Sequence, residues 1–193
     1  MFARARNGFS LIELMVAMAV VVILAAIAYP NLQGVVNANR LTSAANESMA
    51  ILQTARMEAI RRNRRTVACM SANPQAAVPA CSTANATGWI VFQDADRNGQ
   101  YAAGERLLRV TTMPAGIQLR SSAAFNGRAS FRSDGMARDS AGALLDATVD
   151  MCMPVSDPVQ NVRHVSIGTG SRLSITKAST PQACATPANN PPT

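Results

Sequence analysis

The sequence predicts an α+β protein, a long N-terminal helix packed against a β-rich globular domain, and a change of hydrophobic period carries that expectation. Phe9 to Tyr29 is a nearly continuous run of Leu, Ile, Val, Met and Ala, and beyond Pro30 the positions Leu41, Ala45, Met49, Leu52, Ala55 and Ala59 recur at three- and four-residue spacing. From about Thr66 the pattern changes to short runs with β-branched or aromatic residues, separated by Gly, Pro, Asn and Asp. With 193 residues, 48% hydrophobic and 15% charged, the chain can bury one core of modest size, which argues against a multidomain enzyme or a long disordered tail.

Residues 1–8 carry Arg4 and Arg6 and precede the apolar run. At about 1.5 Å per residue, Phe9 to Tyr29 reaches roughly 30 Å as a helix, enough to cross a hydrocarbon core. The basic flank places the N-terminus in the cytoplasm and the remainder outside it. No small-residue cleavage site ends the run before Tyr29-Pro30, so a general secretory signal is a poor fit and the simplest reading is a signal anchor. If Pro30 only kinks the helix, Ser10 to about Arg62 forms one rod of roughly 80 Å, with residues 30–65 its amphipathic second half. A β-rich domain over 66–177 follows, with strands expected at Thr66 to Met70, Gly88 to Gln93, Arg106 to Thr111, Ile117 to Ser121, Ser130 to Arg132, Ala147 to Met153, Val162 to Ile167 and Leu173 to Lys177. Residues 72–87 read as a loop and 178–193 as an extended, Pro-rich tail.

Glu13 is what a plain anchor does not absorb. A carboxylate inside a spanning helix costs about 2.5 to 3.5 kcal/mol or more unless a cation pairs with it. The stretch Arg6-Asn7-Gly8-Phe9-Ser10-Leu11-Ile12-Glu13-Leu14 resembles the class III leader junction of type IV pilins and type II secretion pseudopilins. That resemblance implies cleavage between Gly8 and Phe9 by a prepilin peptidase on the cytoplasmic face, with methylation of the new amino group of Phe9. Residues 9–29 would then form the membrane and filament-core helix, and Glu13 would meet the N-terminal amine of a neighbouring subunit during assembly.

Further along, Ala55 to Asn63 running into Val67-Ala68-Cys69, then Gly88 to Phe92, then Phe131-Arg132-Ser133-Asp134-Gly135 resemble the GspH/FimT group of minor pilins and pseudopilins. With the leader, the resemblance extends from about Arg6 to Lys177. It implies the type IV pilin-like fold and a minor pilin acting in pilus biogenesis, in assembly initiation or a tip complex, or else pseudopilin H of a type II secretion system. The implied partners are the prepilin peptidase, other minor pilins and the major pilin or pseudopilins. The implied location is the inner membrane, single-pass with a periplasmic domain, before assembly into a filament.

Four cysteines in an exported chain suggest two disulfides, and three connectivities are open. Cys69 with Cys81, which closes the Pro-rich loop, and Cys152 with Cys184, which ties down the tail, are favoured. A zinc site is disfavoured, since no two cysteines stand at ligand-pair spacing and His164 is the only histidine.

Asp94, Asp96, Asn98, Gly99 and Glu105 satisfy D-x-D-x-N-G-x5-E, the spacing that wraps calcium with side-chain oxygens about a glycine turn. The flanks read as strands and not as the helices of an EF-hand, so the favoured reading is a hairpin loop in which these residues supply turn geometry, with calcium the alternative and no other cofactor expected.

The formal net charge is +7, and Lys177 is the only lysine among 18 basic residues. Arg61, Arg62, Arg64 and Arg65 cluster where the long helix should end, which complements the helix dipole. Arg163, Arg172 and Lys177 form a second basic group near the C-terminus. Some members of the FimT side bind DNA through closely spaced arginines after a glycine, and Gly170-Ser171-Arg172-Leu173-Ser174 is the matching run here, with one arginine. Any such contact would be to phosphate, because no aromatic residues lie nearby for base stacking. No G-x-S-x-G, Walker or Rossmann pattern is present, so an enzyme is not expected.

Overall fold

A computed structural model describes residues 8–181 and 183–191, with the side chains of 27–31 outside the description. The leader residues 1–7, Arg4 and Arg6 among them, lie outside the described residues. The chain divides into two compact units, Met1–Val36 and Asn37–Thr193. Helix α1, Leu11–Arg62, is 52 residues long and continues through Pro30.

In the first unit α1 is apolar all round. Leu11, Ile12, Val16, Val21, Ile23 and Leu24 are each more than half exposed. Among the described residues no helix is long and apolar enough to cross a membrane.

In the second unit the described strands are β1 (Thr66–Ser71), β2 (Gly88–Gln93), β3 (Arg106–Thr112), β4 (Gln118–Ser121), β5 (Arg128–Phe131), β6 (Ala137–Arg138), β7 (Ala147–Cys152), β8 (Val162–Gly168) and β9 (Arg172–Ala178). They form a five-stranded sheet in the order β3-β2-β1-β5-β6 and a four-stranded sheet in the order β4-β7-β8-β9. Every pairing is antiparallel. The fifth strand, expected at Ser130 to Arg132, is found at Arg128–Phe131, because the Asn126-Gly127 turn, with both residues at positive φ, launches it earlier. The two-residue β6 was not expected. It returns from the Asp134-Gly135 turn, where Gly135 has φ +74° and Met136 N donates to Asp134 Oδ1 at 2.8 Å.

The helix face that meets the sheets is Leu41, Ala44, Ala45, Ser48, Ile51, Leu52, Ala55 and Ala59, all buried. Met49, expected on that stripe, is only half-buried. Ser48 takes the central place because the indole of Trp89 needs an acceptor there: Trp89 Nε1 donates to Ser48 Oγ at 3.1 Å, and both residues are fully buried. Trp89 packs edge-on against Phe125, with centroids 5.9 Å apart. Both sheets contribute to this core, the first through Ala68, Met70, Val91 and Phe131, the second through Leu119, Val149, Met151 and Val165.

The first sheet is buried on its other face as well. Val67, Cys69, Ile90 and Phe92 form a second cluster, with Cys81, Tyr101 and Leu107 packed on it. Period-two alternation sends neighbouring residues of β1 and β2 to opposite faces, so both strands read as continuous buried runs. The loops 72–87 and 94–105 supply the covering side chains. The Cys69–Cys81 disulfide holds the first, and Tyr101 sits edge-on to Phe92, centroids 5.5 Å apart, in the second.

Cys152–Cys184 is the second disulfide, and the tail it carries is hydrogen-bonded to the four-stranded sheet. Asn161 exchanges two bonds with the backbone of Thr180, and Thr148 Oγ1 donates to the carbonyl of Asn189 at 2.9 Å. The expected extended tail is thus free of regular structure but anchored along its described length.

Two outcomes follow from this packing. Leu52→Ala should lower unfolding free energy by about 2 to 5 kcal/mol through cavity formation, whereas Gln53→Ala on the exposed face should change it by no more than about 0.5 kcal/mol; denaturant unfolding read by the fluorescence of the only tryptophan, Trp89, separates them. Replacing Cys152 and Cys184 together by serine should cost about 2 to 4 kcal/mol, since the bond closes a 32-residue separation, and limited proteolysis should then cut first after Ala178.

Candidate functional site

At the N-terminal junction, Ser10 is the N-cap of α1: its Oγ accepts from Glu13 N at 3.2 Å. A cap of this kind starts the helix at Leu11 and leaves Phe9 outside it, 84% exposed. Among the described residues, nothing lies within 4 Å of a Cβ built on Gly8. Glu13 lies in the first turn, where the positive end of the helix dipole favours a carboxylate. Among the described residues its carboxylate has no hydrogen-bond or ion-pair partner.

At the other end, α1 stops at a left-handed Asn63 with φ 52°. Asn63 N donates to Ile60 O and Arg64 N to Ala59 O, each at 3.2 Å, which is the paired closure of a Schellman cap. Three arginines of this cluster are engaged. Arg61 Nη2 is 2.6 Å from Glu58 Oε1, Arg62 bonds the other oxygen of Glu58, and Arg65 Nε is 2.8 Å from Asp94 Oδ2. The bond from Arg62, aided by Arg61, holds the Glu58 carboxyl below its ordinary pKa, against the partial burial that opposes it. The Arg65–Asp94 contact is an ion pair off the line of a hydrogen bond, with Arg65 Nη2 donating to Ser130 Oγ at 3.0 Å. The structural role expected for the cluster therefore accounts for all but Arg64.

The acidic loop joins β2 to β3, and Gln93 faces Arg106 in the register of that pair. Asp94 N donates to Arg65 O at 3.0 Å, and Gly99 N to Asp94 Oδ2 at 3.1 Å. Gly99, at φ +72°, makes the turn. Asp96 accepts from Asn98 through both N and Nδ2, Asn98 Oδ1 accepts from Gln100 N at 2.6 Å, and the two oxygens of Glu105 accept from Ala95 N and Ala102 N at 2.7 and 3.1 Å. The structure brings Asp94, Asp96 and Glu105 together: one carboxylate oxygen from each lies within 4.8 Å of the others. Burial raises the pKa of Asp94; Arg65 works against that rise, and Glu105 and Asp96 add to it.

The C-terminal basic group is not brought together. Arg163 is 3% exposed, with Nη1 donating to the carbonyls of Gln160 and Val162 at 2.8 and 3.0 Å, so it offers no surface to DNA. Its guanidinium pKa is lowered by burial. Arg172 and Lys177 are exposed but stand at the two ends of β9, roughly 17 Å apart at about 3.3 Å per residue, and their odd separation puts them on opposite faces. A hydrophobic-period reading identifies the strand here but not which of its cations is inward.

One pair was not foreseen. Asp150 and His164 are register partners on β7 and β8, with Asp150 Oδ1 2.5 Å from His164 Nδ1, and both are nearly buried. Burial raises the Asp150 pKa, with His164 opposing. Only the pairing register places them together, and a lone Asp and a lone His fourteen residues apart give no signal of it. Residues 178–180 and 185–187 line an open pocket together with the pair.

Comparison with known proteins bears on the whole arrangement. A family model described as type II transport protein GspH matches residues 44–171, and one described as the prokaryotic N-terminal methylation motif matches residues 3–29. A search of curated proteins finds no match. Among solved structures, the type IV minor pilin FimU of Pseudomonas aeruginosa aligns at 20% identity with a TM-score of 0.51, covering 72% of this chain and 89% of that one. The minor pseudopilin EpsH of the Vibrio cholerae type 2 secretion system aligns at 14% identity with a TM-score of 0.49, covering 72% and 97%. The FimU likeness shows the fold, a helix on antiparallel sheets, and the matching family models describe a transport protein with an N-terminal methylation motif and not an enzyme. With the GspH model spanning 128 of its 193 residues and the methylation motif at its head, the chain belongs to the GspH family of minor pilins and pseudopilins.

Proposed function

We propose that this chain is a minor pilin of type IV pilus biogenesis, acting in assembly initiation or in a tip complex. In this reading a prepilin peptidase removes residues 1–8, the amine of Phe9 is methylated, and the apolar helix of residues 9–29 holds the subunit in the inner membrane until it enters the filament. The observation that carries the reading is the start of α1: a capped, all-round apolar helix whose first turn holds Glu13 without a partner among the described residues. An exposed apolar surface of this kind is stable only in lipid or against other helices. A neighbour's N-terminal amine is the cation that answers Glu13. Two disulfides support a domain that matures in an oxidising compartment.

A second reading, a minor pseudopilin of a type II secretion system, is favoured by the description of the matching family as a type II transport protein. The two separate in a strain lacking the gene. Loss of surface pili by electron microscopy, restored by the gene, supports the pilus role. Intact pili with exported proteins retained in the periplasm supports the secretion role.

Glu13→Ala should leave processing intact and reduce co-purification with partner subunits severalfold; unchanged co-purification contradicts the role given to Glu13. Gly8→Leu should block processing, seen as retention of the leader mass. Because nothing lies within 4 Å of a Cβ at Gly8, a block reports the peptidase's requirement and not a failure to fold.

A further inference from the structure

We propose that the loop from Asp94 to Glu105 is a calcium site, with Asp94, Asp96, Asn98 and Glu105 supplying side-chain oxygens. Two independent observations support it. The first is the convergence of three carboxylates whose oxygens lie within 4.8 Å of one another. Two oxygens bound across one calcium ion at about 2.4 Å are about 4.8 Å apart, so oxygens no farther apart than that can share one ion. The second is a buried oxygen without a partner. Asp94 is 2% exposed, and its Oδ1 is shielded from solvent and takes no hydrogen bond, while Oδ2 is occupied by Gly99 N and Arg65. Buried carboxylate oxygens are almost always satisfied, and an unsatisfied one calls for an ion or a water. A water would satisfy Oδ1 but leave the mutual repulsion of three carboxylates in place. A divalent cation answers both, and Arg65 balances the remaining charge.

The strand flanks that argue against an EF-hand perform the task of its helices. The EF-hand needs its first and twelfth ligands side by side. Here the register pair Gln93–Arg106 holds the two ends of the loop face to face, which places Asp94 beside Glu105. Glycine stands at the sixth position with φ +72°. Arg128 Nη1 donates to Gly99 O at 3.2 Å, steadying the turn from the neighbouring β5. Tyr101 of the same loop packs on Phe92, so an ion held here would fasten the covering layer of the first sheet. Calcium is favoured over magnesium because the donors are irregularly spaced carboxylates and an amide, which suit a flexible shell of six to eight oxygens better than a strict octahedron.

The test is titration calorimetry on the full chain in detergent, stripped with chelator, using calcium chloride alone and then magnesium chloride. Saturable binding of one calcium per chain, at a dissociation constant no weaker than about 1 mM, with a calcium-dependent rise in the unfolding temperature, is the expected result. Asp96→Ala and Glu105→Gln should each weaken binding about tenfold or more. Asp96 is exposed and bonds within its own loop, so its variant remains folded, as circular dichroism will verify. No saturable calcium binding by the folded wild-type chain, equal binding of magnesium, or unaltered affinity in both variants would overturn the assignment.

Discussion

The distance between α1 and the sheets is the constraint on which the second unit depends, and side-chain size sets it. Ala44, Ala45, Ala55 and Ala59 leave room along the buried helix face, and Trp89 reaches that face at Ser48. A buried indole brings an N–H that must be satisfied, and Ser48 is both small enough for close approach and able to accept. Alanine at that position would keep the spacing and orphan the donor; leucine would satisfy neither. Beside this contact, Glu47 accepts from Arg109 Nη2 at 2.8 Å and Thr111 Oγ1 at 3.1 Å, which fixes the outer strand β3 to the same stretch of helix. The middle of the first sheet is thus located by a hydrogen bond and its edge by an ion pair.

Burying both faces of β1 and β2 has consequences for the loops. A strand covered on one side by a helix and on the other by irregular chain needs that chain held in place, because a loop pays backbone entropy for each residue it orders. The Cys69–Cys81 disulfide holds loop 72–87. Arg65 and the packing of Tyr101 hold loop 94–105. Arg65 follows the Schellman cap directly, so the residue that ends the helix region also determines where the acidic loop begins. The turn chemistry of this loop is therefore part of the covering of the core, and its carboxylates are close to one another because the hairpin leaves them nowhere else to go.

The helix and all but the shortest strand were legible because they rest on local pattern, whereas the disulfide pairing was favoured on chain separation and left open until the structure gave it. Period 3.6 through Ala59 and period 2 from Thr66 are visible without tertiary knowledge. What was not legible depends on register. Met49 in place of Ser48 is an error of one position, and hydrophobicity alone favours it; only the partner indole decides against it. Arg163 reads as a strand-end cation, yet its place in β8 turns it inward to bond the carbonyls of Gln160 and Val162. The Asp150–His164 pair and the Arg65–Asp94 pair join residues from different elements, and nothing in either residue's neighbours announces the other. The acidic loop lies between these cases: its spacing and its hairpin setting between Gln93 and Arg106 were readable, but the contact of Arg65 with Asp94 was not.

The glutamates of α1 make the strongest argument for assembly. Glu47 and Glu58 lie in the part of the helix that the domain covers, and each is met by arginine from the same chain. Glu13 is not. The helix dipole at its first turn offers about 0.3 to 1 kcal/mol, whereas a carboxylate held within a bilayer costs about 2.5 to 3.5 kcal/mol or more. The shortfall cannot be met by the Ser10 cap, whose hydrogen bond goes to the backbone of Glu13 and not to its carboxylate. In the proposed reading the compensating cation is the N-terminal amine of a neighbouring subunit. In that reading, a residue that destabilises the isolated subunit in the membrane and is relieved beside a second subunit would bias the equilibrium toward the filament, with no energy source beyond the pairing itself.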